Sequence, residues 1–436
     1  MTPVGRRAFV GFSLASGIAR ALGRTPVGGT LRLSLPLALG ELDPHALGDP
    51  LAALFAPAVA DPLYGLDSAG KPYPALAQGL PEAGAGGRAR VALRPGLVTA
   101  AGKRLDARDV VFSLERAKKS GGVAVLAELG KPSLDPRDPL ALLVPTGDPS
   151  GLAVALASPV AAIVPRGFSA LAPDGTGAFR ATLARGELAL VRNPNAARGS
   201  AFLERIEVRG ARDLADALRA FEADLADIGW LGSGLHRPRA GAVLFEGPEL
   251  GWVVLRTGLD AKQWGAPGIA EQLLDRIPAE RLRPLGVAPP ARTSTAGAVW
   301  GGGAAELLVP DDAPQLAEIA EALAPLLSQS AHPIRARRAP RPDVTARRAD
   351  GRYSLMLDFV RSVGPPGRAT LFVLLAAANP ELAARPPQVT SYDPVAIARG
   401  LPLGVIGALR IAGARLPDCH ALESWQLGAV FRSKPS

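Results

Sequence analysis

The sequence predicts an α/β protein of two or three lobes. At 436 residues the chain exceeds one ordinary domain, and its 48% hydrophobic and 20% charged residues suit a folded globular protein. Short segments with alternating apolar residues are followed by helix-like segments in both halves. This order favours strand–helix–strand units with parallel pairing.

The first half contains clear local patterns. Leu31, Leu33 and Leu35 alternate and predict a strand with one buried face. In the segment GKRLDARDVVFSLERAKKS (102–120), Asp106 is placed as an N-cap and Asp109 as the acid of a capping box. The spacing predicts an amphipathic helix that docks against the preceding strand, a structural role without catalysis.

The second half repeats the strand–helix order. Strands are predicted at Gly251–Thr257, Ala305–Val309 and Tyr353–Phe359, and an amphipathic helix at Pro314–Leu327. The basic, proline-rich stretch Arg341–Arg348 is interpreted as a surface loop.

The net charge of +9 does not indicate a nucleic-acid partner. The chain has 42 Arg and 7 Lys, and the arginines are scattered beside abundant Ala, Gly and Pro, as in a GC-rich coding sequence. Nucleic-acid binders cluster their charge on one face or helix. We therefore predict no nucleic-acid partner. A positively charged ligand cleft is the alternative that the charge leaves undecided.

The N-terminal segment predicts export. Paired Arg6 and Arg7 precede Phe9 and a modest apolar run, 10–18, and small residues surround Arg20. This pattern is typical of a twin-arginine signal over residues 1–21, cleaved near Ala21, which places the mature chain in the periplasm. An amphipathic helix and a membrane anchor are the alternatives, although the run is short for a span. No cysteine follows it to form a lipobox.

Cysteine usage carries little information. Cys419 is the one cysteine, so no intrachain disulfide forms. It precedes His420, and the pair is either part of a metal site or a structurally satisfied pair. We predict neither a metal nor a cofactor.

The order of these segments resembles that of the extracellular solute-binding protein family 5, the receptors of ABC importers for peptides, nickel and related solutes. The residues that carry the resemblance span almost the whole mature chain. They are GGTLRLSLP…LDPH (28–45), LYGLDSAGKPYPALAQGLPE (63–82), RVALRPG…GKRLDARDVVFSLERAKKS (90–120), GTGAFR…LALVRNPNAARG (175–199) and ERIEVRGARDLADALRAFEADLADIGWL (204–231). AELLVP…AEIAEALAPLLSQSAHPIRARR and LPLGVIGALRIAGARL (401–416) match by the order of elements.

The resemblance implies a type II periplasmic-binding-protein fold, in which a ligand lies between two lobes and the cleft closes over it by a hinge motion. It divides the chain into lobe I, a subdomain of lobe I, lobe II and a return to lobe I. These parts are expected at 28–48 with 165–250, at 49–164, at 251–400 and at 401–436. A small-molecule ligand, a membrane ABC permease as partner and a monomer are implied.

The sequence departs from the family where peptide ligands bind. Peptide-binding members carry a Trp-x-Ala-Asp-Tyr-Pro-Asp-Pro-like segment whose first Asp pairs with the ligand amino group. Here the segment from Phe359 reads FVRSVGPP, and Val363 replaces that Asp. A buried amine without a carboxylate partner costs several kcal/mol, so a standard free-amine peptide is disfavoured unless Asp358 supplies the charge.

Seven residues are candidate ligand contacts, each with a structural alternative. The aromatic candidates would either stack on a ligand or pack in the core. The arginine candidates would either pair with an anionic ligand group or lie exposed at the surface. Arg361 would reverse the preference of the site from cation to anion. Family members contact their ligand through the backbone of the segment that follows the first strand. The resemblance therefore implies backbone contacts to a ligand from residues 37–41. The candidates are Trp230, Arg256, Trp300, Phe359, Arg361, Leu39 and Glu41.

Three functions compete. The first is a periplasmic receptor that delivers a small solute to an ABC importer. The second is an enzyme, against which stands the absence of G-x-S-x-G, H-E-x-x-H and phosphate-loop motifs from the sequence. The third is a degenerate binding protein that acts as a sensor or partner-binding module without transport.

Overall fold

The computed structural model describes residues 27–84, 86–122, 126, 129–230, 240–283, 286–292, 297–363, 374 and 393–433. The predicted export signal, 1–21, lies outside these residues. Within them, the α-helices are α1 (Pro50–Val59), α2 (Ala107–Ala117), α3 (Pro149–Ala155), α4 (Leu214–Glu222), α5 (Ile269–Leu274), α6 (Ala279–Leu282), α7 (Pro314–Leu327), α8 (Arg341–Asp350) and α9 (Pro394–Ala398).

One ten-stranded sheet runs through both halves of the protein. Its strand order is β14-β13-β15-β12-β16-β11-β1-β10-β9-β8. In chain order these strands are β1 (Thr30–Leu35), β8 (Phe179–Ala184), β9 (Glu187–Arg192), β10 (Arg205–Gly210), β11 (Ile228–Trp230), β12 (Val243–Thr257), β13 (Ala305–Pro310), β14 (Ile334–Ala339), β15 (Leu355–Arg361) and β16 (Leu403–Arg415).

The subdomain carries its own sheet and core. A four-stranded sheet of order β4-β5-β7-β6 and a two-stranded sheet β2-β3 lie before β8 in the chain. A separate cluster of buried side chains packs α2 against them. The strands are β2 (Tyr64–Leu66), β3 (Pro72–Pro74), β4 (Glu82–Gly84), β5 (Arg88–Ala92), β6 (Ser133–Asp135) and β7 (Asp138–Pro145), and β17 (Cys419–His420) pairs with β18 (Phe431–Arg432) near the C-terminus.

We call the half with β1, β8–β11 and the subdomain lobe I, and the half with β13–β15, α7 and α8 lobe II. Two long antiparallel strands, β12 and β16, join them: β12 pairs with β15 on one side and with β16 on the other, and β16 continues to β11. The expected boundary between lobe I and lobe II, between residues 250 and 251, falls inside β12. The register of β12 and β16 shifts at Glu246–Gly251, where the chain passes between the lobes.

Close packing at the crossing requires glycine. A Cβ at Gly251 would lie 2.2 Å from the carbonyl oxygen of Val360, and one at Gly413 would lie 2.4 Å from that of Gly229. Both are backbone atoms, so neither contact is relieved by a side-chain rotation. The strands that join the lobes are therefore packed as closely as their backbones allow.

Local signals explain several elements. In β1, Leu31, Leu33 and Leu35 alternate with half-buried residues and are themselves buried, as predicted. In α2, Asp106 and Asp109 form the predicted capping box, and the helix ends at Ala117 before a single π-helical turn. These predictions are confirmed.

One local prediction is wrong. Arg341–Arg348 was expected to be a surface loop, and it lies in the helix α8. Pro342 stands in the first turn, where the missing N–H costs nothing, and Asp343 favours the same end. Gly351, at φ +70°, then ends the helix in the left-handed conformation.

Candidate ligand cleft

A cavity of about 1100 Å³ opens between the lobes. Its lobe I wall is the segment 38–50, with Ser120 and Leu171. Its lobe II wall comes from β12, β15, the end of β13, the start of α7 and one side of α8. The lining residues are Ala38, Gly40, Glu41, Asp43, Ala46, Leu47, Gly48, Asp49, Pro50, Ser120, Leu171, Arg256, Pro310, Asp312, Ala313, Leu316, Arg341, Pro342, Val344, Thr345, Arg348, Ala349, Asp358, Phe359 and Val360.

The lobe I wall is braced from behind by α2. Arg116 of that helix donates two hydrogen bonds to the Asp43 carboxylate, both 2.7 Å, and a third, 2.8 Å, to His45 Nδ1. The Nε2 of His45 lies 2.9 Å from the carbonyl oxygen of Ala162, so we assign the neutral tautomer with the proton on Nε2. The predicted helix thus has a structural task, since it positions the segment that lines the cavity.

The pKa directions agree with this arrangement. Burial lowers the pKa of His45, which keeps the ring neutral. Burial alone raises the pKa of Asp43, but the hydrogen bonds from Arg116 and from the His45 backbone outweigh it, and the net pKa is lowered. Asp43 is therefore an ionised carboxylate that is already paired.

Asp49 has a different environment. Its side chain caps α1 by accepting a 2.9 Å hydrogen bond from the Leu51 N–H. Burial raises the pKa of Asp49 to about 6, although the charges of Arg341 and Arg361 oppose the shift. This carboxylate is therefore the more easily protonated of the two.

The lobe II wall centres on Asp358, on β15. Arg256 of β12 and Arg348 of α8 both reach its carboxylate, with N···O distances of 3.2 Å. The Arg256 side chain is 11% exposed, whereas that of Arg348 is 37% exposed. Burial alone lowers the pKa of Arg256, but Asp358 and Tyr353 outweigh it and the pKa is raised.

A second ion pair lies where α7 and α8 begin. Arg341 Nε donates a 2.6 Å hydrogen bond to Asp312, just before α7. The α7 start has no side-chain hydrogen bond at its N-cap, Ala313, and no acidic residue in its first turn. Its positive end is therefore not compensated by a carboxylate of its own first turn.

The structure brings three of the predicted residues to the cavity. Arg256, Phe359 and Glu41 all line it. Glu41 is exposed, whereas the ring of Phe359 belongs to the hydrophobic core. Leu39 is 7% exposed and packs in the same core, next to the lining residues Ala38 and Gly40.

Trp300 is not among the lining residues, and the expectation that it lines the cleft is wrong. It is 1% exposed, and its ring lies 5.5 Å from that of Trp264. Its Nε1–H donates to the carbonyl oxygen of Gly303 at 2.8 Å. The glycine stretch therefore covers a buried indole. Trp230 ends β11 opposite Gly413, and its side chain is outside the described residues.

Arg361 is also not among the lining residues. It ends β15, is 2% exposed, and donates a 2.9 Å hydrogen bond from Nη1 to the carbonyl oxygen of Pro44. Its backbone N–H donates to the carbonyl oxygen of Leu47 at 2.7 Å. Burial lowers its pKa to about 10, against the opposing charges of Asp49 and Asp43. Arg361 therefore ties lobe II to the back of the lobe I wall and does not face a ligand.

The residue aligned with the family's amine-binding aspartate is also buried. Val363 is 1% exposed, and its carbonyl oxygen accepts a 2.6 Å hydrogen bond from Ser158 Oγ. Asp358, the alternative carboxylate, lines the cavity but already faces two guanidinium groups. An incoming amine would have to compete with both.

Sequence reasoning missed the side chains that carry most of the charge of the cleft. Arg341 and Arg348 were placed in a loop, and Asp312 and Arg116 were not singled out. The signal for α8 was available in the proline at its start and the glycine at its end. No local pattern showed which arginine faces which carboxylate.

The structure also bears on metal ligands, on the Cys419–His420 pair and on membrane spans. Among the described residues, no group of three or more His, Cys, Asp or Glu is arranged to hold a metal ion. Cys419 is buried, which raises its pKa to about 12, and the ring of His420 stacks 4.9 Å from that of Phe431. Within the same residues, no helix combines the length and apolar character that a membrane span needs.

Comparison with known proteins gives matches by structure alone. No protein-family model and no curated protein matches the sequence. NikA of Staphylococcus aureus, solved with Ni(L-His)2, matches with a TM-score of 0.68 and 16% identity, over 93% of this chain and 99% of that chain. AppA of Bacillus subtilis, solved with a nonapeptide, matches with a TM-score of 0.71 and 12% identity, over 94% of this chain and 100% of that chain.

A third match is AgaA of A. tumefaciens R10, solved with agropinic acid, with a TM-score of 0.70 and 15% identity over 94% and 99% of the two chains. All three matches extend over almost the full length of both chains. At this identity they establish the fold and leave the ligand open. The chain therefore has the two-lobed α/β fold of the family 5 periplasmic solute-binding proteins, as a divergent example of it.

Proposed function

We propose that this chain is an exported, periplasmic substrate-binding protein that captures a small solute between its lobes and delivers it to an ABC importer. The observation that carries the proposal is the cavity of about 1100 Å³ between two lobes that are joined by two strands. Its size suits a small solute, and the connection by crossing strands suits closure about a hinge. The paired Arg6 and Arg7 support export.

We propose further that the ligand is not a peptide held by a free amino terminus at the family's usual position. The aligned Val363 is buried and apolar, and Asp358 is paired with both Arg256 and Arg348. A buried amine there would lack its own carboxylate, at a cost of several kcal/mol.

Binding without bond-making is the act that the site supports. The acidic groups of the lining are paired with arginines, cap a helix or lie exposed, and the named structural neighbours are binding proteins. The permease is a membrane partner of the protein in this proposal, and the receptor acts as a monomer.

Isothermal titration of the purified protein against a metabolite panel tests this function, combined with small-angle X-ray scattering. We expect at least one solute to bind with 1:1 stoichiometry and to reduce the radius of gyration as the lobes close. If no panel member bound and the scattering stayed unchanged, the proposed capture of a solute would be contradicted. Turnover of a panel member would favour an enzyme instead.

A further inference from the structure

The end of β15 connects lobe II to lobe I beside the two crossing strands. The Nη1 of Arg361 donates a 2.9 Å hydrogen bond to the carbonyl oxygen of Pro44, and its backbone N–H donates a 2.7 Å bond to that of Leu47. Pro44 and Leu47 belong to the lobe I segment that forms one wall of the cavity. A buried cation of lobe II is therefore hydrogen-bonded to the backbone of lobe I.

The next two residues extend this connection. The Ser362 N–H donates a 2.8 Å hydrogen bond to the carbonyl oxygen of Leu250, in β12. The Val363 carbonyl oxygen accepts its 2.6 Å bond from Ser158 Oγ, which belongs to the subdomain. We call residues 361–363, with these four hydrogen bonds, the β15 joint.

Apolar packing closes the same place. Val360 and Val363 lie in one buried cluster with Val160 of the subdomain, and Leu47 of lobe I packs against that cluster. The three valines are at most 4% exposed. Separating the lobes at the β15 joint would break its hydrogen bonds and expose these side chains together, and both changes cost free energy.

A second contact between the lobes, at the start of α7, is less complete. The Gln315 N–H lies 3.4 Å from the carbonyl oxygen of Pro36, a long distance for such a bond. The Gln315 Nε2 is buried and has no hydrogen-bond partner among the described residues. A recess of about 20 Å³ lies here, and Leu37 of lobe I and Leu316 of α7 line it, so apolar packing is incomplete. We call this contact the α7 seam.

Glu318 of α7 also contacts lobe I across the α7 seam. Its Oε1 accepts a 3.1 Å hydrogen bond from the Leu214 N–H, at the start of α4. Burial raises the pKa of Glu318 and the charge of Asp213 adds to the shift, although the bond from Leu214 opposes it. The ionised Glu318 therefore gains hydration when α7 moves away. The α7 seam costs less to separate than the β15 joint.

Resting on the proposed capture function, we propose that the β15 joint is the fixed pivot of the protein and that the lobes separate at the α7 seam. The joint adds a third connection to the two crossing strands, and through Ser158 it includes the subdomain. Arg361 is a positioning residue in this motion, because it keeps the lobe I wall at a constant distance from β15. The start of α7 lines the cavity, so its movement opens the cleft to a solute.

Hydrogen exchange of the ligand-free full chain, measured at single amides, tests the pivot. The Arg361 and Gln315 amides both donate across the lobes, so one sample compares the joint with the seam. We expect the Arg361 amide to exchange at least about a hundredfold more slowly than the Gln315 amide, after correction for intrinsic rates. Comparable exchange at the two amides would overturn the proposal.

Two further amides show whether a helix end opens instead of the seam. The Ala317 amide bonds within α7, and the Ala217 amide bonds within α4. Both should exchange more slowly than the seam amides of Gln315 and Leu214. Equal exchange would mean that the helix ends fray, and the α7 seam would not be the moving contact.

Arg361→Met tests the guanidinium itself. It removes the hydrogen bond to Pro44 and keeps the backbone bonds of the joint. We expect the amides of residues 361 and 362 to exchange at least about tenfold faster, the effect of one lost charged hydrogen bond, and those of β1 to stay unchanged. A general loss of stability would accelerate the β1 amides by the same factor and would contradict the pivot.

Arg337→Met is the matched control. Arg337 lies exposed on β14, where it pairs with Glu306, and it does not line the cavity. Exchange at residues 361 and 362 should be the same in this variant as in the parent. If both variants accelerated these amides equally, the effect would not be specific to Arg361 and the assignment would be wrong.

The outcomes separate the pivot from the capture function. If a panel solute bound and closed the lobes while the Arg361 and Gln315 amides exchanged alike, capture would stand and the pivot would be wrong. If the exchange contrast appeared and no panel solute bound, the pivot would stand and capture would be wrong. The contrast together with the effect of Arg361→Met supports the pivot.

Discussion

Both walls of the cleft carry charged side chains, but these side chains are supported in different ways. On lobe I, Asp43 is held by Arg116 of the subdomain helix α2, which lies behind the wall. On lobe II, Arg341 and Arg348 are held by carboxylates that themselves line the cavity, Asp312 and Asp358. The first wall has its support outside the cleft, whereas the second has it inside.

This difference indicates a division of labour. The geometry of the lobe I wall is set before a ligand arrives, because its hydrogen bonds do not compete with the ligand. The lobe II wall must exchange internal ion pairs for contacts to the ligand. Half-exposed ion pairs are weak, so that exchange costs little. We expect lobe I to fix the position of the ligand and lobe II to adapt to it.

The largest expected effect comes from removing the brace of lobe I. Arg116→Ala leaves Asp43 and His45 without their shared donor, and we expect the free energy of unfolding to fall by about 3 kcal/mol. Urea denaturation measures this change. Arg108→Ala, at an exposed position on the same helix, is the control and should change stability by less than about 0.5 kcal/mol. If the two variants were equally stable, the wall would not depend on α2.

A smaller and pH-dependent effect is expected at Asp49. Its folded-state pKa of about 6 lies above the ordinary value of 3.8, so the folded chain holds this proton more tightly than the unfolded chain. The resulting stabilisation is complete below about pH 4 and is lost as the pH rises through 6. Since asparagine also caps helices well, Asp49→Asn should remove the cost of ionisation and keep the cap.

We therefore expect Asp49→Asn to be more stable than the parent by roughly 1–3 kcal/mol at pH 7.5, and by much less at pH 4.5. Thermal unfolding at both pH values tests this. The matched control is Asp213→Asn, at the N-cap of α4, where the side chain is 44% exposed; it should change stability by less than about 0.5 kcal/mol. An Asp49→Asn variant that loses stability at pH 7.5 would show that the charge is needed for the fold.

The smallest effect is expected on lobe II. Arg348→Gln removes a half-exposed partner of Asp358 and should change the free energy of unfolding by less than about 0.5 kcal/mol, because Arg256 stays. Arg256→Gln removes the buried partner, which also contacts Tyr353, and should cost about 2 kcal/mol. Chemical denaturation of the two variants gives the comparison. The opposite order would mean that Arg348 is structural and not available to a ligand.

The elements of the fold were predictable where the signal was local. The alternation of Leu31, Leu33 and Leu35 and the capping box of Asp106 and Asp109 involve only neighbours in sequence, and both are confirmed. The wrong prediction at Arg341–Arg348 also has a local cause. The basic, proline-rich composition of the stretch favoured a loop, although proline at a helix start is compatible with the helix.

The site was harder to predict because its side chains come together from distant parts of the chain. Arg361 and Phe359 are two residues apart on one strand, yet Phe359 contributes to the cavity lining and Arg361 is buried against Pro44. That difference depends on how β15 ends against the lobe I segment, which no spacing in the sequence encodes. The brace of Asp43 by Arg116 likewise joins residues 73 positions apart.

The outermost strand of lobe II has a consequence for how the protein behaves at high concentration. β14 ends the ten-stranded sheet, and Arg335, Arg337 and Arg338 on it are exposed. An unpaired strand edge invites another chain to add a strand, and long charged side chains along the edge oppose this, even where they are ion-paired as Arg337 and Arg338 are with Glu306 and Glu321. The arginines of this edge therefore oppose the addition of a strand from a second copy of the chain, which favours the dispersed state of the protein.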